Sequence, residues 1–464
     1  MMSAFGIGNG RDHSAKRRRT GPISSLIFIL TALLCLAVPS RAADVSAEPR
    51  PDGLSLPECL ELALTNHPSL RRARGGVRAE TAALERIRAA NRVTVGLTGS
   101  LRRDGDYDDR FRDGANSGSA GVTASKLLYD TGRNRLQKEI QRESLLGARE
   151  NERNARVSVA ANAKRAYYDL VLKILNRDVE REKLNNLEEH LKTARGFYEV
   201  GTSAFIDVTK AEADVAGART SLLKAESDIL VSQEALRVAM GVDGEGSLAL
   251  ALSTGLLLPR RAGEMEELLS TALEDRPDYR QALHTVRARE LGVKSAAREG
   301  SPTITGSASS TFSDREGASS STGYGVGMSL NVPIVDGGTT AAAVETARAQ
   351  LDQAAADRDS LRQQVTYGVR SAALSLNNAV ERVRSAEASV RYAEQNLELA
   401  RGRYEVGVGD ALELSDAVSQ LASSRYTHYQ ALYDAQAARA NLDEAMGHFP
   451  PELDAVLDIA RGDE

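Results

Sequence analysis

The sequence is poor in aromatic residues and proline: it has no tryptophan, 4% aromatic residues and 12 prolines in 464 positions. A large globular core built on aromatic side chains is therefore disfavoured, because such cores depend on the area that these residues bury. Alanine, leucine, arginine and glutamate are abundant instead, a composition that is typical of long helices.

The N-terminal region carries a basic run at 16–19, an apolar run from Ile23 to Val38 and a small-x-small motif at 40–42. This pattern predicts a signal peptide spanning residues 1–42. A membrane-spanning helix is the alternative, but it needs about twenty consecutive apolar residues. Cleavage would remove six Lys or Arg and one Asp, so the formal charge falls from −5 to about −10. The acidic balance argues against nucleic acid as a partner.

Cysteine is scarce as well, with Cys35 and Cys59 the only two in the chain. Cys35 lies within the predicted signal peptide, so a single cysteine would remain and no internal disulfide could form. A lipid anchor on Cys35 is the alternative, although the preceding Ala32-Leu33-Leu34 is a poor context for acylation.

Motifs for chemistry are also missing. The sequence shows no nucleophile elbow, phosphate-binding glycine loop, zinc-ligand spacing or carboxylate pair that would point to catalysis, a cofactor or a metal. Five histidines lie singly on predicted helices or turns, which favours surface or packing roles: His67, His190, His284, His428 and His448. We therefore expect a protein that is not an enzyme and needs no cofactor.

A seven-residue motif occurs twice, as Arg195-Gly-Phe-Tyr-Glu-Val-Gly201 and Arg401-Gly-Arg-Tyr-Glu-Val-Gly407. The register between the copies is 401 − 195 = 206, and it holds as far as Ala239-Met240-Gly241 and Ala445-Met446-Gly447. An Ala-Leu-x-x-x-Pro motif ending at Pro68 returns at Pro277, an offset of 209. The chain is an internal duplication, and because two repeats alone bury little, we expect an oligomer.

Four segments, at about 93–103, 119–129, 303–313 and 323–333, alternate between apolar and small polar residues. This period of two predicts two hairpins with one apolar face. A membrane barrel would turn that face to lipid, but the smallest such barrels have about eight strands, so several chains must contribute. A soluble β-subdomain capping a helical bundle is the alternative.

Long helices follow each hairpin. No proline occurs between Asn134 and Val200, a stretch that would reach about 100 Å as one helix. In the second copy, apolar or small residues alternate spacings of four and three, a heptad seam suited to antiparallel coiled coils: Val365, Val369, Ala372, Leu376, Ala379, Val383, Ala386, Val390, Ala393, Leu397, Ala400 and Tyr404. Each helix ends at a Val-Gly pair, and a returning helix begins near Phe205 or Ala411.

These patterns divide the chain into a signal peptide (1–42), an extended segment (43–56), a first repeat (57–241), a linker or equatorial segment (242–263), a second repeat (264–447) and a C-terminal tail (448–464). The hairpin tips are expected near 201 and 407. The predicted fold is mainly α, with four strands per chain.

Acidic residues follow each tip: Asp207 in the first copy, and Glu413 and Asp416 in the second. Acids in a first helical turn are commonly favoured by the helix dipole, which is the simpler interpretation. In an oligomer built around an axis, each acid would instead form a ring that binds cations and sets selectivity.

Together these features resemble the TolC and OprM family of outer membrane efflux proteins. The resemblance covers about residues 54–447 and depends on the Ala-Leu-x-x-x-Pro helices, the Tyr-x-Val-Gly tips, the Ala-Met-Gly helix ends and their doubling. It implies a homotrimer in outer membrane lipid, with four strands per chain in one twelve-stranded barrel and a long α-barrel in the periplasm.

The resemblance also implies an exit duct of a tripartite efflux or type I secretion system, joined to an inner membrane transporter and a periplasmic adaptor. The adaptor would contact the tips at Val200, Gly201, Thr202, Val406, Gly407 and Val408. A periplasmic coiled-coil adaptor or scaffold is the alternative function, although such proteins lack paired membrane hairpins and a twofold repeat.

By residue matching, the resemblance makes Tyr404 and Asp207 parts of a periplasmic gate, and Glu413 and Asp416 a selectivity ring. The family has a gate arginine two residues past the tip glycine, where this chain has Gly409. An ion-pair lock at that position is therefore not expected here.

Overall fold

The computed structural model describes residues 53–104, 115–244, 256–315 and 318–449. The predicted signal peptide with Cys35, most of segment 43–56, the centre of the linker 242–263 and nearly all of the tail 448–464 lie outside the described residues.

Each repeat consists of two short helices, a strand hairpin, one very long helix and a returning helix. In the first repeat these are α1 Leu56–Asn66, α2 Pro68–Ala89, β1 Thr94–Asp104, β2 Ala115–Tyr129, α3 Arg133–Glu199 and α4 Phe205–Met240. In the second they are α5 Met265–Asp275, α6 Pro277–Ala296, β3 Thr303–Arg315, β4 Ser321–Asn331, α7 Thr339–Glu405 and α8 Ala411–Met446. Helices α3 and α7 have 67 residues each, a length of about 100 Å.

The strands form one antiparallel sheet in the order β1-β2-β3-β4. Its register aligns residues of similar polarity and size in rows that run across all four strands. Two adjacent rows of one face are mostly apolar: Val95, Ala124, Ala308, Val326 and then Leu97, Val122, Ser310, Tyr324. Four rows of the other face, those that begin at Thr94, Gly96, Thr98 and Ser100, contain only glycine, serine and threonine. Apolar side chains remain outside, with Leu101 94% and Tyr324 92% exposed.

The helices lie side by side along α3 and α7. In the half that leads to the tips, α3 contacts α4 and α8, and α8 contacts α7, so the order is α4-α3-α8-α7. In the half that leads to the sheet, α2 packs on α3, and α6 packs on both α3 and α7. Of the twelve seam residues predicted in the second copy, nine are buried, and Ala372, Val390 and Leu397 are partly buried.

Two hydrophobic clusters hold the helices together. The larger lies where α1 and α5 cross the long helices and includes Tyr167 and Leu376. The smaller lies near the tips and includes Leu187, Val215 and Tyr404. Of the partly described linker, Leu256 is buried in the larger cluster, and the Ala262 amide donates to Asn377 at 3.1 Å. This part of the linker therefore binds the middle of the helical row.

The twice-occurring motifs meet each other in the structure. Gly241, at the end of α4, has φ +66°, and a Cβ there would lie 2.6 Å from the His67 Cα. Gly447, at the end of α8, has φ +74°, and a Cβ there would lie 2.7 Å from Cδ of Pro277. Each Ala-Met-Gly end thus packs on the x-Pro junction of its own repeat, and both motifs are needed for that contact.

The mainly helical fold with four antiparallel strands is confirmed. Among the described helices, none is both long and apolar enough to cross a lipid bilayer.

Candidate functional site

The two tips, residues 198–206 and 404–412, close in the same way. Gly201 and Gly407 have φ +76° and +75°, the left-handed conformation that glycine adopts without strain. The next residue folds back in each case: Thr202 N–H donates to the Phe197 carbonyl at 2.9 Å, and Val408 N–H to the Arg403 carbonyl at 3.0 Å. These glycine-capped turns reverse the chain within five residues.

The six residues predicted to contact an adaptor, Val200, Gly201, Thr202, Val406, Gly407 and Val408, are all exposed. Neighbouring apolar side chains add to this surface, with Phe205 and Ile206 exposed on the first tip and Leu412 on the second. Each tip therefore presents apolar side chains around a bare backbone turn.

Tyr198 and Tyr404 occupy the same position of the repeat, since 404 − 198 = 206. Tyr404 is only 7% exposed, whereas Tyr198 is 46% exposed and packs its ring on Phe205 at a centroid distance of 5.5 Å. The second tip thus turns its tyrosine into the helical row, and the first turns its own outward.

Tyr404 packs between two rings of α3. Its centroid lies 5.0 Å from that of His190 and 5.6 Å from that of Phe197, both nearly edge-on. The sequence predicts an ordinary surface or packing role for His190 and does not connect it with Tyr404. The available signal was its helical spacing, three residues after Leu187 and four before Ala194, both buried.

Asp207 lies half-buried in the first turn of α4, close enough for its charge to act on both His190 and Tyr404. Burial, and then the negative charges of Asp207 and Asp410, raise the pKa of Tyr404. The tyrosine is therefore neutral throughout the physiological pH range.

Gly409 approaches the preceding backbone closely. Its N–H donates to the Arg403 carbonyl at 2.9 Å, and an added Cβ would lie 2.8 Å from the Tyr404 amide nitrogen. An arginine at 409 would not fit this turn. Arg403 instead provides a guanidinium at the second tip, with Nε 3.5 Å from Oε2 of Glu413, a pair that sequence reasoning missed.

Glu413 and Asp416 are both exposed and, being three residues apart on α8, project from one side of the helix. Asp410 caps this helix by accepting from the Leu412 amide at 3.1 Å. Because the helix dipole acts within the first turn, it accounts for Glu413 but not for Asp416. Within the described ranges, no group of three His, Cys, Asp or Glu residues could hold a metal ion.

Polar contacts tie the two helical hairpins together above the tips. Arg425 of α8 pairs with Glu182 of α3 and, at 3.1 Å, with Glu394 of α7. Tyr426 of α8 donates to Glu180 of α3 at 2.7 Å. These contacts fix α8 between α3 and α7.

The outer helices of the row leave apolar side chains uncovered. On α4 these are Leu223, Leu230, Val231 and Val238; on α7 they are Tyr367, Leu374, Tyr392 and Leu399. Each of these residues has another of the set seven residues away on the same helix, the spacing of a coiled-coil seam. Both ends of the row are therefore suited to pack against further helices.

Comparisons with known proteins agree with this architecture. The family model described as outer membrane efflux protein matches residues 59–242 and 268–448. The outer membrane efflux protein BepC of Brucella suis is 26% identical over 400 residues, which cover 85% of each chain. The probable efflux pump outer membrane protein TtgC of Pseudomonas putida is 25% identical over 427 residues, covering 88% of this chain and 87% of that one.

A solved structure shows the same fold. The outer membrane channel CmeC of Campylobacter jejuni superposes with a TM-score of 0.72 at 17% identity, and the match covers 88% of each chain.

Proposed function

The chain belongs to the outer membrane efflux protein family, and we therefore propose that three copies close into one passive duct across the periplasm and the outer membrane. The resemblance drawn from the sequence is thereby confirmed, and so is the expected location in the outer membrane. The family is one of transport proteins rather than enzymes.

The sheet carries this proposal. Its order leaves β1 and β4 with an unpaired edge each among the described strands, and its apolar face is uncovered. Three such sheets joined edge to edge would make a twelve-stranded barrel in which the backbone groups of every edge strand are hydrogen-bonded. The apolar rows would then face lipid, and the Gly, Ser and Thr rows would line the interior.

The row of helices would also close into a ring by packing against neighbouring copies. Its outer helices, α4 and α7, carry the uncovered heptad-spaced side chains, so α7 of one copy would pack on α4 of the next. Each interface between copies would bury these uncovered side chains, among them Leu230 of α4 and Leu374 of α7. A soluble β-subdomain on a helical bundle, or an adaptor, would leave the sheet face without a partner.

Within this duct, the tips form the periplasmic entrance. Tyr404 and Asp207 would be gate residues, and Glu413 with Asp416 would form the acidic ring. Because Gly409 excludes an arginine from its position, closure depends on packing around Tyr404, while Arg403 partly neutralises Glu413. The ring would therefore owe most of its free charge to Asp416.

The partners would be a periplasmic adaptor and an inner membrane transporter. The adaptor would bind the six exposed tip residues that begin at Val200 and Val406. The relative TtgC is named for an efflux pump, which favours tripartite efflux, and type I secretion is the second system that such a duct could serve. The transporter would select the substrate, because a passive duct does not.

Purified full-length protein tests the duct. In detergent its mass should be that of three chains, and in planar bilayers it should give discrete, voltage-driven conductance steps. Material that is monomeric and water-soluble without detergent, or a folded trimer that never conducts, would contradict the proposal.

A further inference from the structure

His190 is an uncommon residue in its surroundings: a titratable side chain, 5% exposed, inside the small cluster that packs the tips. Its Nδ1 is buried and has no hydrogen-bond partner. Its ring touches Tyr404, which the second tip turns inward, whereas the matching Tyr198 of the first tip is exposed. A buried imidazole without a partner is tolerated when neutral and unfavourable when charged.

The charged groups around His190 come mainly from α4, namely Asp207, Lys210 and Asp214. Asp214 is already engaged, because it accepts the Ser415 hydroxyl of α8 at 2.7 Å. Facing it from α7 is the neutral Tyr404. Next to it on its own helix, Glu189 is paired with Arg401.

Burial outweighs the two carboxylates. Desolvation lowers the pKa of His190 from its usual 6.5, Asp214 opposes that shift, Lys210 reinforces it, and Asp207 opposes it. The imidazole is therefore neutral in the packed tip at neutral pH.

We propose that neutral His190 holds Tyr404 in its buried position and that protonation of His190 releases it, so that acid loosens the second tip. His190 is thus a positioning residue for Tyr404. The inference rests on the proposed duct, because only there does release of the tip open an entrance.

Proton linkage gives the sign of the pH effect on the stability of the packed tip. A histidine whose pKa is lower in the packed state than in the loosened state contributes its full stabilisation above about pH 6.5, and the packed state loses stability as the pH falls below that value. One proton per tip changes the open-to-packed ratio by at most about tenfold per pH unit.

Hydrogen exchange of the full-length trimer in detergent tests this, with rates corrected for the intrinsic effect of pH. Between pH 7.5 and 5.0, the amides of 397–412 in the wild type, at the end of α7 and in the second tip, should exchange several-fold to tenfold faster, while the middle of α8 stays unchanged. In His190→Gln the acceleration should be lost. His190→Phe, which keeps a ring without charge, gives the same prediction should the glutamine variant fold poorly.

The matched control is His428→Gln, because His428 is another helical histidine whose Nδ1 is buried without a partner, well away from the tips. It should keep the wild-type pH response. The proposal is overturned if the wild type shows no acid response, or if His190→Gln and His190→Phe retain it. Conductance recorded over the same pH range separates the two ideas: no conductance at any pH refutes the duct, whereas pH-independent conductance refutes only the role of His190.

Discussion

Gly409 lies against the backbone of Tyr404, so closely that a methyl group at 409 would come 2.8 Å from the tyrosine amide nitrogen and 2.9 Å from the Arg403 carbonyl carbon. The turn that buries Tyr404 therefore depends on the absence of a side chain two residues past the tip glycine. In the proposed duct, the close packing of Gly409 on the backbone of Tyr404 takes the place of the ion pair that the family's gate arginine would form.

Substitution of this glycine should loosen the tip. Gly409→Ala forces the backbone apart at a cost of about 1–3 kcal/mol, and Gly409→Arg should cost at least as much. Hydrogen exchange of the second tip and bilayer conductance at neutral pH should both rise. Gly402→Ala is the control, because Gly402 is helical with no atom within 4 Å of an added Cβ, and it should change neither quantity. Unchanged exchange in Gly409→Ala would show that the turn is not tight.

The acids near the second tip should control block by divalent cations. Glu413→Ala combined with Asp416→Ala removes both charges, so block should weaken. Asp416→Ala alone should weaken it more than Glu413→Ala, because Arg403 lies 3.5 Å from Glu413.

Arg403→Ala provides the opposite change. It frees Glu413 and should strengthen block, as measured by the concentration of divalent cation that halves the conductance. Equal block in all four variants would return these acids to the role of helix-dipole partners.

The glycines that end the returning helices should be essential to stability. Gly241→Ala and Gly447→Ala each place a side chain at positive φ against the backbone of His67 or Arg276, at a cost of about 1–3 kcal/mol. The melting temperature in detergent should fall in both variants. Gly217→Ala, within α4 and with open space around an added Cβ, should leave it the same or raise it. A similar effect at all three positions would argue against the contact between the two motifs.

The two faces of the sheet should respond differently to charge. Val122→Lys places a charge on the apolar face and should cost about 2–4 kcal/mol near the middle of a bilayer, reducing the trimer recovered from the outer membrane. Thr123→Lys, one residue along β2 and on the Gly, Ser and Thr face, should be recovered at nearly the wild-type level. Equal loss in both variants would contradict the assignment of the apolar face to lipid and of the Gly, Ser and Thr face to the lumen.

Much of the fold could be predicted because it follows from local pattern and repetition. Alternation of period two placed the strands within a few residues of β1 to β4, and the paired Val-Gly motifs placed the ends of α3 and α7. The constant offset of 206 residues then related the second repeat to the first.

The candidate site was harder to predict from the sequence, because it depends on how four helices face one another. Tyr198 and Tyr404 share the sequence Tyr-Glu-Val-Gly, yet one is exposed and the other buried. No local pattern separates them. The contact of His190 with Tyr404 and the pair of Arg403 with Glu413 join separate helices or turns, and only the three-dimensional arrangement reveals them.

Three pairs of hydroxyl groups on the small-residue face of the sheet bond to each other: Thr94 to Ser125 at 2.9 Å, Ser100 to Ser119 at 2.9 Å and Ser313 to Ser321 at 2.8 Å. As a barrel lining, these rows would offer a passing solute no charge and no long side chain to bind, and their short side chains would leave the bore wide. Passage through the barrel would then proceed at the pace of diffusion, without a second sorting step after the entrance.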